Sequence, residues 1–365
     1  MTRVALVSNL CPHYRTPLYE ELARRVDLEC YFFSEGEEYW NPLLPTSVDG
    51  AFRRGHLRRR RVLGEPVMPG LAQRLGRDRY DAVVMGMTGR LMTPFVYGVA
   101  RGRRLPFVLW TGVWYHPRTP FHQATRPITE ALYRRSDAIV VYGDHVRRAL
   151  TGVRGVEDAK IFTAAQAVEA SRFERAARPG SSDELVFVGL FQERKGIADL
   201  LGAMQLIPDV PLRLTFIGNG ELQPAIEAAA RVDSRITLAG HVPQQELPAR
   251  LARTRALVLP SITTATDREP WGLVVNEAMH LGLPVIASDA VGAAAGGLVL
   301  DGSTGIVVPE HDRTALADAI RRLAVDDELA DALGERGSEH AATFTYERMA
   351  DAFEAAIAYA RRRHG

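Results

Sequence analysis

Short apolar runs alternate with amphipathic stretches along the whole chain. In the first half, residues 4–8, 28–33, 80–87, 106–110 and 138–142 are runs of four to eight residues, most of them apolar throughout. Such runs predict strands buried on both faces of a parallel sheet, not half-exposed strands with alternating polarity. Between them, residues 16–26, 94–104, 126–135 and 144–150 have helical periodicity. Residues 164–183 break the rhythm and end in Arg178-Pro179-Gly180-Ser181-Ser182-Asp183, a linker by composition. The alternation then resumes. Strands are predicted at 185–189, 212–218, 236–239, 256–259, 284–288 and 305–308. Helices are predicted at 197–206, 221–230, 245–252, 273–281, 315–324 and 328–337. The last helix, 345–363, places Met349, Phe353 and Ile357 on one face at four-residue spacing. The pattern predicts two doubly wound α/β domains in series.

Composition agrees. The 365 residues exceed one ordinary domain, and 46% apolar with 24% charged residues is average globular usage. No run is long and apolar enough to predict a transmembrane helix, and the start reads as a strand, not a signal peptide. Two cysteines, Cys11 and Cys30, cannot form a disulfide framework, so a reducing cytoplasmic setting is expected. The net charge of +1 conceals an asymmetry. Residues 1–180 hold 28 Lys and Arg against 18 Asp and Glu, and residues 181–365 hold 17 against 26. A basic half either faces an anionic substrate or membrane surface, or is simply a solvated surface. The run Arg53-Arg54-Gly55-His56-Leu57-Arg58-Arg59-Arg60-Arg61 is the densest part of it. Peripheral contact with anionic lipid at the inner face of the membrane, or a polar hairpin face, would each account for it. Aromatic residues are not interleaved there, so nucleic acid is not expected as a partner.

Candidate chemistry concentrates in Arg268-Glu269-Pro270-Trp271-Gly272-Leu273-Val274-Val275-Asn276-Glu277-Ala278-Met279. Glu269 lies in a loop after a strand, and Glu277 in the first turns of the following helix. Between them are the free N–H groups and the positive dipole end of that helix. This layout suits an anion flanked by carboxylates that accept hydroxyl hydrogen bonds, as a nucleotide sugar requires. Upstream, Arg194-Lys195 precede Gly196 at a strand-to-helix turn, where a helix dipole disfavours cations. A leaving diphosphate would explain them. No H-E-x-x-H, cysteine cluster or D-x-D occurs, so no metal site is expected.

Glu269, seven residues and Glu277, with Pro270-Trp271-Gly272 inside, resembles the paired-glutamate motif of retaining glycosyltransferases of family 4. Phe187-Val188-Gly189, Arg194-Lys195-Gly196, Gly218-Asn219-Gly220, Leu259-Pro260-Ser261, Gly282-Leu283-Pro284 and Asp301-Gly302 match in order. The resemblance covers nearly all of residues 184–360. It is weaker in the first half, where Pro12-His13-Tyr14-Arg15-Thr16-Pro17-Leu18-Tyr19 resembles one branch of the family. It implies a GT-B fold: two Rossmann-like domains facing across a cleft, with the C-terminal helix crossing back to the first. The implied boundaries are 1–170 for the acceptor-side domain, 171–183 for the linker, 184–344 for the donor domain and 345–365 for the returning helix.

The resemblance further implies transfer of a hexose-type sugar from a nucleotide-diphosphate donor, UDP- or GDP-linked, with retention. The acceptor would be a glycan, a lipid-linked group or a small molecule. No cofactor is implied. Glu269, Lys195, Arg194 and His116 are the candidate catalytic residues. Glu277, Gly272, Leu273, Gly189, Gly218, Asn219, Val242 and Trp271 are the candidates for donor binding. This chain departs from its relatives in three places. Leu190 stands where many carry an arginine. The first loop, Ser8-Asn9-Leu10-Cys11-Pro12, lacks a double glycine. The stretch from Val291 to Gly297 lacks an acidic residue. A sugar-nucleotide epimerase and a catalytically silent sugar-nucleotide-binding protein are the rival readings.

Overall fold

The computed structural model describes residues 1–34, 50–86, 89–173 and 182–364. It divides into two units. The first comprises Met1–Trp114, Arg118–Gln166 and Thr345–Gly365, and the second Tyr115–Pro117 and Ala167–Phe344. The chain passes from the second unit back to the first between residues 344 and 345. Most of the segment 171–183 falls in residues 174–181, outside the described residues.

The first unit is built on strands β1 (Arg3–Ser8), β2 (Asp27–Phe32) and β3 (Arg53–Arg54), a separate hairpin of β4 (Arg60–Val62) and β5 (Glu65–Val67), then β6 (Ala82–Gly86), β7 (Phe107–Thr111), β8 (Ala138–Val141) and β9 (Ile161–Thr163). Seven of these form one sheet in the order β3-β2-β1-β6-β7-β8-β9. Every pairing in it is parallel. The continuous apolar runs are buried from end to end, as in Val4-Ala5-Leu6-Val7 and Ala138-Ile139-Val140-Val141. The two-residue β3 and three-residue β9 carry too little pattern to be legible from sequence. The arginine run forms the strand β3 and one arm of the hairpin.

Helix Pro120–Arg135 starts six residues before the predicted point. Thr119 caps it by accepting from His122 N at 3.4 Å, and Pro120 occupies the first turn, where a missing N–H costs nothing. The final helix, Tyr346–His364, buries the predicted stripe: Met349, Phe353 and Ile357 are at most 3% exposed. Each such side chain contributes about 1.5–3 kcal/mol of burial. Phe353 meets Trp110 edge-on at 5.0 Å, and Tyr346 Oη donates to Tyr14 O at 2.9 Å. The chain terminus is thereby fixed to the first sheet.

The second unit holds strands β10 (Glu184–Val188), β11 (Arg213–Ile217), β12 (Ile236–Gly240), β13 (Ala256–Leu259), β14 (Val285–Ser288) and β15 (Ile306–Val308). Their order is β12-β11-β10-β13-β14-β15, again all parallel. All six were legible in the apolar pattern. The chain lays down β10, β11 and β12 toward one edge. It then returns to place β13 on the other side of β10. The strand order therefore reverses between β10 and β13. Loops diverge at such a point beyond the carboxyl ends of the strands, which is where open α/β sheets take their ligands.

Candidate active site

The loops that leave β10 and β13 supply the charged residues. After β10 the chain makes a short turn, Glu193–Lys195, and enters helix Ile197–Leu206 through Gly196. Gly196 has φ +67°, and a Cβ there would lie 1.8 Å from Pro260 O, so only glycine fits. Ile262 N donates to Arg194 O at 2.8 Å. These contacts press the two loops together at the backbone level. Ser288 Oγ, at the end of β14, donates to Ser261 O and anchors the second loop from below.

The side chains converge on one carboxylate. Lys195 Nζ and Glu269 Oε2 form an ion pair, and Arg194 Nη1 reaches the same oxygen at 2.9 Å. Ser261 Oγ donates to it at 3.4 Å. Lys195 is 8% exposed and Glu269 6%. Burial by itself would raise the Glu269 carboxyl. The two adjacent cations outweigh it and hold the group below the usual carboxylate range. Arg194 has a second carboxylate partner, Asp267, at 3.2 Å from its Nε. The sequence presents this turn as cationic. The folded cluster holds two cations against two carboxylates.

Beyond Glu269 the chain passes through half-buried Pro270 and buried Trp271 to Gly272, the N-cap of helix Leu273–His280. Gly272 has φ +93° and touches Leu259 and Val291, where a Cβ would approach to 2.9 and 3.2 Å. Glu277 is the fifth residue of that helix. Its side chain is half-buried and makes no hydrogen bond or ion pair with any described residue. Burial pushes its carboxyl up to about 7, with the charge of Arg172 acting in the opposite direction. Arg172 itself donates to Gln244 O at 3.3 Å, in the loop after β12.

The remaining donor-binding candidates lie at the same carboxyl edge. Gly189 follows β10, where Lys195 Nζ would lie 3.9 Å from an added Cβ. Gly218 and Asn219 follow β11, with Gly218 N bonded to Gly240 O at 2.8 Å and Phe191 N to Asn219 O at 2.7 Å. Val242 is half-buried just after β12, and Leu273 is half-buried at the start of its helix. Leu190 is half-buried beside Gly189, and the guanidinium nearest Glu269 comes from Arg194.

Trp271 lies deeper than Glu269. Its ring is 2% exposed, packs near Phe344 and donates from Nε1 to Asn276 Oδ1 at 2.7 Å. The indole packs at the helix start. His116 is half-buried in the loop after β7, within the short stretch that groups with the second unit. Two residues near the site escaped the sequence reading. Asp267 lies only two positions before Glu269, so its place beside the motif was the available signal. Arg172 comes from the segment before β10 and carries no local signal.

Residues 182–326 match the family model of group 1 glycosyl transferases. That stretch contains Arg194, Lys195, Glu269 and Glu277. The chain is 27% identical over 243 residues to the alpha-D-kanosaminyltransferase of Streptomyces kanamyceticus, which covers 61% of each protein. The chain thus spans less than two thirds of that relative's length. Among solved structures, the sucrose-phosphate synthase of Thermosynechococcus elongatus superposes with a TM-score of 0.74 at 22% identity, covering 97% of this chain and 98% of that one. The Anabaena protein Alr3699/HepE, solved in complex with UDP, gives 0.75 at 16% identity, covering 98% and 100%. The likeness establishes the fold as GT-B, as the family resemblance implies. No described helix is long and apolar enough to cross a membrane.

Proposed function

We propose that the protein is a retaining glycosyltransferase that moves a hexose-type sugar from a UDP- or GDP-linked donor to an acceptor hydroxyl. The observation that carries this reading is the Arg194–Lys195–Glu269 cluster at the strand-order reversal, within the residues matched by the glycosyl transferase model. The names of the similar proteins support a transferase, and the Anabaena structure supports a uridine nucleotide as one possible donor.

In this reading the diphosphate lies over the turn at Lys195 and the start of helix Leu273–His280, where backbone N–H groups and the helix dipole favour an anion. Lys195 and Arg194 stabilise the charge that grows on the leaving diphosphate. Glu269 positions donor-sugar hydroxyls. Glu277, which makes no hydrogen bond or ion pair among the described residues, accepts from the ribose hydroxyls. No side chain is assigned as a covalent nucleophile. The acceptor attacks the face the diphosphate leaves, and a phosphate oxygen takes the acceptor proton. His116 is proposed near the donor sugar. A divalent ion is not required, because the chain has no D-x-D pair and cations already serve the diphosphate. The exposed Arg58 and Arg60 of the first unit are proposed to meet anionic lipid or a phosphorylated acceptor.

Thermal shift with uridine, guanosine and adenosine diphosphates tests the donor assignment, since a ligand of the folded state raises apparent stability. Proton NMR of the first-formed product tests retention: the donor's anomeric configuration is expected, and an inverted product overturns the family-4 reading. Activity is expected to persist in excess chelator.

A further inference from the structure

We infer that Asp267 is an electrostatic counterweight to Arg194 that sets how tightly the site retains a diphosphate. The inference rests on the reading of the cluster as the diphosphate site. Its argument begins with the loop that carries Asp267. Thr264 N and Oγ1 donate to Asp267 O at 2.9 and 3.2 Å, and Asp267 N donates back to Thr264 Oγ1 at 3.1 Å. This closed turn fixes the backbone of Asp267, so the carboxylate is presented to Arg194 by a rigid support. At the other end of the loop, Thr263 donates from its N and Oγ1 to the Glu310 carboxylate, the latter at 2.9 Å.

Arg194 is shared. Its Nη1 serves Glu269 at 2.9 Å, while its Nε lies 3.2 Å from Asp267 and 3.2 Å from Gln192 Oε1. Glu269 is buried and already paired with Lys195, so its bond to Arg194 is hard to exchange. Asp267 differs. Its side chain is 45% exposed, whereas that of Glu269 is 8% exposed. Asp267 is therefore the more solvent-accessible of the two carboxylates on Arg194. An incoming diphosphate meets a cluster without net positive charge and must compete with Asp267 for the guanidinium. Removing the Asp267 charge while keeping its shape leaves one net positive charge for the diphosphate.

Calorimetric titration of the full chain with inorganic pyrophosphate, UDP and GDP tests this. Asp267→Asn is expected to bind all three roughly three- to tenfold more tightly than the unsubstituted chain at low salt. The gain should shrink at 1 M salt, where screening falls to about 3 Å. In an Arg194→Gln background the same substitution should change affinity less than about twofold, because its target is gone. A structural role for Asp267 would not produce that dependence on salt and on Arg194. Unchanged or weaker pyrophosphate binding in Asp267→Asn overturns the inference alone. So does weakening confined to the nucleotide sugar, which would mean that Asp267 contacts the sugar. Absence of any diphosphate binding to either chain overturns the inference together with the reading beneath it.

Discussion

Each sheet has a point where strand order reverses, between β1 and β6 in the first and between β10 and β13 in the second. The two points are chemically opposite. β1 ends in Ser8 and is followed by Asn9, Leu10 and Cys11, and β6 ends in Gly86; none of them is charged. Arg54 bonds to Cys11 in this loop and lies over the Phe32 and Phe52 rings. Arg15 is 8% exposed and also held by rings: its guanidinium lies 4.5 Å from the Trp110 ring centre and 5.1 Å from that of Tyr142, and Nη2 donates to Tyr142 Oη at 2.8 Å. No described carboxylate pairs with it. At the second point the buried cation, Lys195, is paired with a carboxylate and stands next to another cation. Aromatic faces stabilise a cation without creating a charge that a ligand could displace. An ion-pair cluster keeps its charges available for exchange. The first arrangement suits a fixed strut and the second suits binding.

Lys195→Ala should separate the two most strongly. It is expected to lower kcat and kcat/KM together by roughly 2.7–4 kcal/mol, the range for losing one stabiliser of transition-state charge. Steady-state kinetics on a folded variant would check this, and unchanged turnover would place Lys195 with the struts. Arg15→Met should do the reverse. We expect a loss of about 2–3 kcal/mol in unfolding free energy from the cation–π contacts and the charged hydrogen bond. Nucleoside diphosphate affinity should be unchanged, and urea titration with calorimetry reads both.

Glu277 sharpens the comparison through pH. Its carboxyl is pushed up to about 7, above the ordinary 4.5, so the folded chain holds a proton there that the unfolded chain has released. Stability from this group is present below pH 4.5 and is lost as pH rises through about 7. The half-buried position limits the change to about 1–3 kcal/mol. Urea unfolding at pH 5.5 and 8.5 should show it, and Glu277→Gln should flatten it. Donor binding should run the other way. A nucleotide sugar does not titrate in this range, and its ribose needs the ionised carboxylate. Its affinity should therefore rise between pH 6 and 8.

The smallest effect divides the two glutamates. Glu277→Gln should weaken nucleoside diphosphate binding by about tenfold, near 1.4 kcal/mol. Glu269→Gln should leave that binding nearly intact and impair transfer. Equal effects in a titration would mean that the carboxylates are not divided between ribose and sugar.

Much of the fold was legible because parallel strands are buried on both faces and need continuous apolar runs. That is why β13 and β14 stand out, whereas the edge strand β12 alternates in burial, and the stripe of Met349, Phe353 and Ile357 marks a packed helix. The short β3 and β9 were missed because two or three residues make no pattern. Helix Pro120–Arg135 begins six residues before the predicted 126–135, and its Thr119 cap and Pro120 start were the local signals available for those residues. The Glu269 and Glu277 pair was legible as a motif. The packing of Trp271 inside the motif was not legible, because only the tertiary structure shows its burial.

The sequence by itself determined the alternation of strands and helices, the place of the charged turn and the paired carboxylates, because these depend on local periodicity and on which residues are adjacent. The tertiary structure decided which charges meet. Arg194 and Asp267 are 73 positions apart, and they pair because β13 returns to lie beside β10. That return made a cationic turn into a charge-balanced cluster. Coulomb interactions depend on distance through space, and strand order, which no local pattern encodes, sets that distance.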